Sequence, residues 1–129
     1  MKGPQWVLRE TVLALHARLL AEFGGRDSLR YEGLLDSALG RPQQLLAYGT
    51  PDQFDVAAAY AFGLVRNHLF VDGNKRIGIT TAILFLELNG CRFVASEADT
   101  TLNTLALAAG ELSEAAYSKW LKANSKKAN

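Results

Sequence analysis

Residues 68–76 read His-Leu-Phe-Val-Asp-Gly-Asn-Lys-Arg, and the segments on either side of this stretch decide the fold. The upstream segment Val56–Val65 and the downstream segment Ile77–Leu88 are the two most apolar segments of the chain. Each is long enough for a helix and nearly apolar around its full circumference, so each is predicted to be a buried helix. The sequence therefore predicts an all-α domain built around a central apolar helix hairpin.

The turn between these helices carries the residues of an anion site. Gly73 can adopt a positive φ and turn the backbone N–H groups of its neighbours inward. A helix that begins near Asn74 or Lys75 has N–H groups without intrahelical acceptors, and it carries the positive end of its dipole there. Lys75 and Arg76 add two formal charges, and Arg76 can bind phosphate oxygens bidentately. The turn is thus predicted to be a phosphate cradle.

His68 and Asp72 add the means for chemistry beside that cradle. An imidazole changes its charge near neutral pH, which suits His68 to the role of general base. Asp72 by itself would repel a phosphate, but it becomes useful with a bridging Mg²⁺, which prefers one or two carboxylates plus phosphate oxygens. On composition alone, a solvated polar cap at a helix start stays an open alternative.

The stretch resembles the signature of the Fic/Doc family, His-x-Phe-x-(Asp/Glu)-(Gly/Ala)-Asn-(Gly/Lys)-Arg. All seven specified positions match, namely His68, Phe70, Asp72, Gly73, Asn74, Lys75 and Arg76. The resemblance extends to Leu15-His16, to Gly33–Leu39 and to Arg41-Pro42, so it covers most of the chain. It implies a single-domain helical bundle of the Fic/Doc type. We place that domain at residues 1–121 and a polar C-terminal tail at residues 122–129.

Two positions separate this chain from the adenylylating branch of the family. That branch has glycine where Lys75 stands, and it has a second arginine where Ile79 stands. Lys75 without the second arginine resembles the Doc (death-on-curing) branch of toxins. That resemblance implies a kinase-like phosphotransferase that uses ATP and Mg²⁺. It would move the γ-phosphate to a Ser/Thr hydroxyl of elongation factor Tu and so inhibit translation. A small antitoxin protein would restrain it.

The resemblance also implies the roles of individual residues. His68, Asp72, Lys75 and Arg76 would be catalytic, with Asp72 also the metal ligand. The nucleotide would be bound by Gly73, Asn74, Lys75 and Arg76. Two alternatives stay open: a protein adenylyltransferase with the same site, and a non-enzymatic helical module that binds a phosphate or a partner.

Bulk properties limit the class of protein. The 129 residues suffice for one domain, and a net charge of +1 gives no basic field for direct nucleic-acid binding. No apolar run reaches the roughly 20 residues of a membrane span. A single cysteine, Cys91, excludes an internal disulfide and favours a reducing, cytoplasmic setting.

The segments before the motif give further expectations. A first helix is predicted from Pro4 to Phe23, with His16 in a hydrogen-bonded packing role at the edge of its apolar face. A short helix closed by Gly40 and Pro42 should precede a second short one from Pro42 to Ala47. By resemblance, 47–54 would be a flap that docks the target protein, whereas the residues alone indicate a plain loop. Asp52 should cap the helix after it.

After the motif, the sequence predicts an extended connector at residues 91–95 and two more helices. Ser96 should cap the first of these, which Gly110 ends, and Ser113 should cap the last. The polar tail at residues 122–129 is expected to be frayed. Upstream, Ser28–Gly33 formally fits the string of an inhibitory segment found in some Fic proteins, although so short a string recurs by chance.

Overall fold

The computed structural model describes residues 3–26, 32–67, 69–70 and 73–128. These residues contain six helices: α1 (Arg9–Phe23), α2 (Glu32–Tyr48), α3 (Gln53–Arg66), α4 (Asn74–Leu88), α5 (Glu97–Ala109) and α6 (Glu114–Ala123). Two three-residue strands, β1 (Cys91–Phe93) and β2 (Ser125–Lys127), pair antiparallel. The predicted all-α class and its central hairpin, α3 and α4, are confirmed. In the parts described, no helix combines the length and apolar character needed to cross a membrane.

Helix α3 is the centre of the fold, with α2, α4 and α6 packed around it. Its residues Val56–Ala61 are all buried, which explains the apolar character of this segment on every side. The approach of α4 is close at Gly78. A Cβ atom added there would lie 2.4 Å from Cγ2 of Val65 and 3.2 Å from the carbonyl oxygen of Ala61. Gly78 therefore lets the two helices of the hairpin touch through their backbones.

The predicted helix caps are confirmed. Asp52 and Asp55 form a reciprocal capping box at the start of α3, with N···O distances of 2.9 and 3.0 Å. The hydroxyl of Ser96 accepts from the N–H of Asp99, and Ser113 caps α6 in the same way. These capping residues predicted where the helices begin, because each supplies an acceptor for an N–H group that the helix itself cannot satisfy.

The first helix begins later than the sequence predicts. Residues 3–8 are not helical, and α1 begins at Arg9 rather than at Pro4. Side chains from distant helices instead form hydrogen bonds with the backbone of this segment. The Asn89 amide accepts from the N–H of Gln5 at 2.8 Å and donates to its carbonyl at 2.9 Å. The N–H of Val7 donates to the Tyr60 hydroxyl at 3.1 Å.

The prediction of two short helices separated at Pro42 is wrong, because α2 runs through that residue. Proline has no N–H to donate and strains a helix interior. Packing on α3 outweighs this cost. Pro42 itself is buried, Leu35 is fully buried, and Ala38 lies against Gly63 of α3. The Arg41 guanidinium also stacks 4.8 Å above the Phe62 ring.

The prediction of a frayed C-terminal tail is also wrong. Helix α6 continues to Ala123, and β2 then pairs with β1 so that Lys126 lies opposite Arg92. Backbone hydrogen bonds extend the ribbon at both ends, from Ala128 to Gly90 at 2.8 Å and from Val94 to Asn124 at 2.7 Å. The expected extended connector is therefore partly a strand. The domain boundary at residue 121 stays a prediction.

Candidate active site

The turn before α4 is closed by two hydrogen bonds from a single side chain. The N–H of Phe70 donates to Oδ1 of Asn74 at 3.0 Å, and Nδ2 of Asn74 donates to the Phe70 carbonyl at 2.8 Å. Gly73 lies between them with φ 82° and ψ 14°, the left-handed conformation predicted for it. Helix α4 begins at Asn74, so its N-terminal N–H groups face the space beside this turn.

Helix α1 packs against this turn. The ring of His16, which is 1% exposed, stacks on Phe70 with 3.6 Å between centroids and 17° between planes. A Cβ atom added at Gly73 would lie 3.3 Å from Nε2 of His16 and 3.5 Å from Cδ2 of Leu20. Gly73 is therefore needed for its backbone conformation and for its closeness to α1. The packing predicted for His16 is confirmed, whereas the hydrogen bond predicted for its ring stays a prediction.

Positive charge is concentrated at the start of α4. Lys75 and Arg76 are both exposed and lie in the first turn, which contains no acidic residue. The helix dipole disfavours cations at this end, so the arrangement costs stability unless an anion is present. None of the described carboxylates forms an ion pair with either side chain. The Arg76 guanidinium instead lies 4.5 Å from the centroid of the Phe23 ring of α1.

A groove of about 720 Å³ opens beside this cationic turn. The first half of α4 forms one wall and α5 the other, and the end of α1 closes one side. The groove is lined by Leu19, Phe23, Gly73, Asn74, Lys75, Arg76, Ile79, Thr80, Ile83, Phe93, Ala95, Glu97, Thr100, Thr101, Thr104 and Leu105. The cradle thus lies at one end of a cavity that has the size of an ordinary small-molecule site.

Comparison with known proteins gives the family. The model of the Fic/DOC family matches residues 6–86, which is more than half of the chain. This chain belongs to the Fic/Doc family. It is 35% identical over 105 residues to the protein named Protein kinase doc of Escherichia phage P1, covering 81% of this chain and 82% of that protein. It is 46% identical over 76 residues to Toxin Doc of Mycolicibacterium smegmatis, covering 57% of this chain and 58% of the relative. Both names support the Doc branch.

The structure brings part of the Fic/Doc motif together. Gly73, Asn74, Lys75 and Arg76 all line one end of the groove. His68 and Asp72 lie outside the described residues, so their roles as base and metal ligand stay predictions. In the parts of the chain described, no group of His, Cys, Asp and Glu side chains could hold a metal ion. The string at 28–33 falls largely outside the described residues as well.

Asn74 has a role that the sequence reading missed. Its side-chain amide is engaged with the Phe70 backbone. The predicted nucleotide-binding role of Asn74 therefore rests on its backbone N–H, which has no intrahelical acceptor at the first position of α4. The family motif specifies an asparagine here, and the geometry gives a physical reason: a short side-chain amide can accept from the N–H and donate to the carbonyl of the same residue four positions earlier.

Helix α5 also contributes residues to the groove, which the sequence did not predict. Thr100, Thr101 and Thr104 line the groove, and Glu97 adds a carboxylate one turn earlier. The Thr100 hydroxyl donates to the Ser96 carbonyl, and the Thr104 hydroxyl is hydrogen-bonded to that of Tyr117. Their spacing at i, i+3, i+4 and i+7 was a signal, because it places all four on one face of a helix. What the sequence could not show is that this face lies opposite the cradle.

A second cavity, of about 370 Å³, lies near the predicted flap and away from the motif. Its walls include Arg41, which pairs with Glu114, and Asp55, which accepts a hydrogen bond of 2.6 Å from the Ser118 hydroxyl. That hydrogen bond lowers the pKa of Asp55 by more than partial burial raises it. These contacts tie the start of α3, and with it the end of 47–54, to α6.

Proposed function

We propose that this chain is the toxin of a toxin–antitoxin pair and a kinase-like transferase of the Doc branch. The reaction would move the γ-phosphate of ATP to a Ser/Thr hydroxyl of a translation factor in the cytoplasm. By resemblance, that factor is elongation factor Tu. The relative named Protein kinase doc supports the transfer of phosphate, and the relative named Toxin Doc supports the biological role.

One observation carries this proposal: the first turn of α4 concentrates positive charge with which no described carboxylate forms an ion pair. Lys75, Arg76 and the N-terminal N–H groups converge at the end of a groove of about 720 Å³. A polyphosphate would supply the missing negative charge, and the cavity would accommodate the remainder of a nucleotide. A purely structural cap would gain more from an acidic residue in this turn, as α3 has in Asp55.

Each of these motif residues would have its own role in the proposed reaction. His68 would accept the proton of the target hydroxyl while the hydroxyl oxygen forms its bond to the γ-phosphorus. The bond from the γ-phosphorus to its bridging oxygen breaks at the same time, and ADP leaves. Arg76 would stabilise the charge that shifts onto the phosphoryl oxygens, and Lys75 would hold the nucleotide in the orientation that places the γ-phosphate inward.

Mg²⁺ fits the donor chemistry of this site. Asp72 would be its protein ligand, and a single carboxylate beside phosphate oxygens is a set that Mg²⁺ commonly uses. When bound, the metal would neutralise phosphate charge next to the cradle.

Isotopic labelling distinguishes the proposed reaction from its alternative. Purified elongation factor Tu would be incubated with this protein and ATP carrying radioactive phosphorus at the γ position or, in parallel, at the α position. Label transferred only from the γ position is expected. Transfer from the α position would instead favour adenylyl transfer, and no transfer of either label would favour a binding module. Lys75→Ala should lower transfer, whereas Lys119→Ala, an exposed helical lysine of α6, should not.

An antitoxin partner is part of the proposal. Apolar side chains are exposed along the groove and beside it, with Phe23 54%, Leu102 68% and Leu105 45% exposed. Such a surface next to the cradle suits a partner segment that covers the site. Expression of this chain alone should slow bacterial growth, and co-expression with a small protein encoded next to it should restore growth. Equal growth at matched protein levels would contradict this part of the proposal.

A further inference from the structure

We infer that His16 is a positioning residue for the motif turn, and that its flat ring sets the geometry on which transfer depends. This inference rests on the proposed function, and it assigns a task to a buried side chain that does not line the groove. The ring contacts the turn at both of its described ends, Phe70 and Gly73. His68 and Asp72 belong to the same short stretch of chain.

The contact with Phe70 is unusually close for two rings. The centroids are 3.6 Å apart and the planes differ by 17°. Most aromatic pairs in proteins keep their centroids about 4.5–7 Å apart, because fully overlapped benzene rings repel through their quadrupoles. An imidazole is smaller and polar, so it can lie flat on the phenyl face at this distance. The stack therefore specifies an imidazole rather than any apolar side chain of α1.

The contact with Gly73 limits the space on another side of the same ring. Nε2 of His16 lies 3.3 Å from the position of a Cβ on Gly73. The ring thus fills a gap whose walls are Phe70 and the backbone of Gly73, and it keeps them at a fixed separation. Between these walls Asn74 closes the turn by its two hydrogen bonds to Phe70. A side chain of different shape at 16 would shift the turn relative to α1.

A positioning role makes a prediction that a packing role does not. Leucine at 16 would retain apolar burial but offers no flat face, whereas glutamine has a planar amide that can lie on the Phe70 ring. For packing alone, activity should follow stability, so the variant with the higher Tm should be the more active one. If His16 positions the turn, activity should instead follow the planarity of the side chain at position 16. His16→Gln should then be the more active of the two, even where His16→Leu has the higher Tm.

The experiment compares these two variants with Val12→Ala, a buried substitution one turn earlier on α1. Turnover and KM for ATP would be measured well below each Tm. His16→Leu should lower kcat by about tenfold or more, since a small misplacement of reacting groups is costly. Its KM for ATP should change by less than about threefold, because the cradle on α4 remains. Val12→Ala should change neither constant beyond its effect on Tm.

A second measurement needs no activity. Hydrogen exchange at the N–H groups of Phe70 and Ile77 reports the bonds to Asn74 and Gly73 that hold the turn. Exchange should be faster in His16→Leu than in Val12→Ala. If the wild-type protein transfers neither label, the proposed function fails, and this measurement alone decides the role of His16. Equal exchange in both variants, or a kcat that follows Tm, would overturn the inference.

Discussion

At the scale of single residues, the candidate site depends on a few residues, each of which must satisfy two demands. Gly73 must take a left-handed conformation and must also leave room for α1. Asn74 starts α4 and also closes the turn on Phe70. The sequence motif predicted the first demand in each case, since it follows from local backbone chemistry. The second demand depends on which groups the fold brings near, and no local pattern shows it.

Asn74→Ala should weaken both the turn and the reaction. Two hydrogen bonds to the backbone N–H and carbonyl of Phe70 are lost, so the free energy of unfolding should fall by about 1–3 kcal/mol. Transfer should fall more than stability explains, because the motif turn is no longer closed. The matched control is Asn103→Ala, which removes an amide that donates to the Asp99 carbonyl of α5. Equal losses of activity in the two variants would contradict this role of Asn74.

The stability contributed by Asp55 should depend on pH. The Ser118 hydroxyl lowers the pKa of Asp55 below its ordinary value of 3.8. A lowered folded-state pKa gives stability that is present above the unfolded value and is lost as the pH falls through the folded value. Ser118→Ala should therefore cost about 1 kcal/mol at neutral pH and progressively less as the pH falls below 3.8.

Ser125→Ala is the control for that titration. Its hydroxyl donates to the carbonyl of Leu121, which does not titrate, so its cost should stay constant with pH. Urea unfolding of both variants and the wild type at a series of pH values makes the comparison. A cost of Ser118→Ala that is constant over this range would show that the carboxylate charge is not involved.

At the scale of helices and strands, the sequence predicted what local chemistry decides. The central pair α3 and α4 was evident because α3 is buried along most of its length and the part of α4 from Ile77 to Leu88 has few polar residues. Caps such as Asp52 were evident because they satisfy nearby N–H groups. The continuity of α2 through Pro42 was not evident from the sequence, since packing on α3 outweighs the tendency of proline to end a helix. The groove was missed for the same reason: its second wall, α5, comes from a distant segment.

The closeness of α3 and α4 can be tested at Gly78. Gly78→Ala would place a Cβ 2.4 Å from a Val65 methyl and 3.2 Å from the Ala61 carbonyl oxygen. The resulting overpacking should cost about 1–3 kcal/mol. Gly40→Ala in α2 is the matched control, because a Cβ there meets nothing within 4 Å. It should stabilise the protein by about 0.5–1 kcal/mol through higher helix propensity. Thermal unfolding of both variants gives the result, and a stabilising Gly78→Ala would mean that the helices are farther apart.

At the scale of the whole molecule, the chain is a helical bundle whose C-terminal end returns to the end of α4. Strands β1 and β2 have three residues each and lie far apart in sequence, so no alternation of apolar and polar residues could reveal them. Their pairing holds the segment that leads from α4 to α5, and α5 forms one wall of the groove. The end of the chain thereby contributes indirectly to the site.

Removal of residues 125–129 should expose this dependence. The ladder between β1 and β2 and the bond from Ala128 to Gly90 would be lost. A decrease of about 1–3 kcal/mol in the free energy of unfolding is expected from so few backbone hydrogen bonds. Denaturant unfolding of the shortened and full chains measures it. An unchanged midpoint would mean that the strands contribute nothing and that these residues do behave as a frayed tail.

The central claim is that a phosphate cradle on α4 works with a separate base, His68. It is tested most directly by measuring ATP binding by titration calorimetry and phosphate transfer to elongation factor Tu on the same variants. His68→Ala should reduce transfer by about 10²–10⁴-fold while ATP binding stays close to that of the wild type. Arg76→Ala should weaken both, because its guanidinium binds phosphate and follows the shifting charge. Near wild-type transfer by His68→Ala would contradict the account.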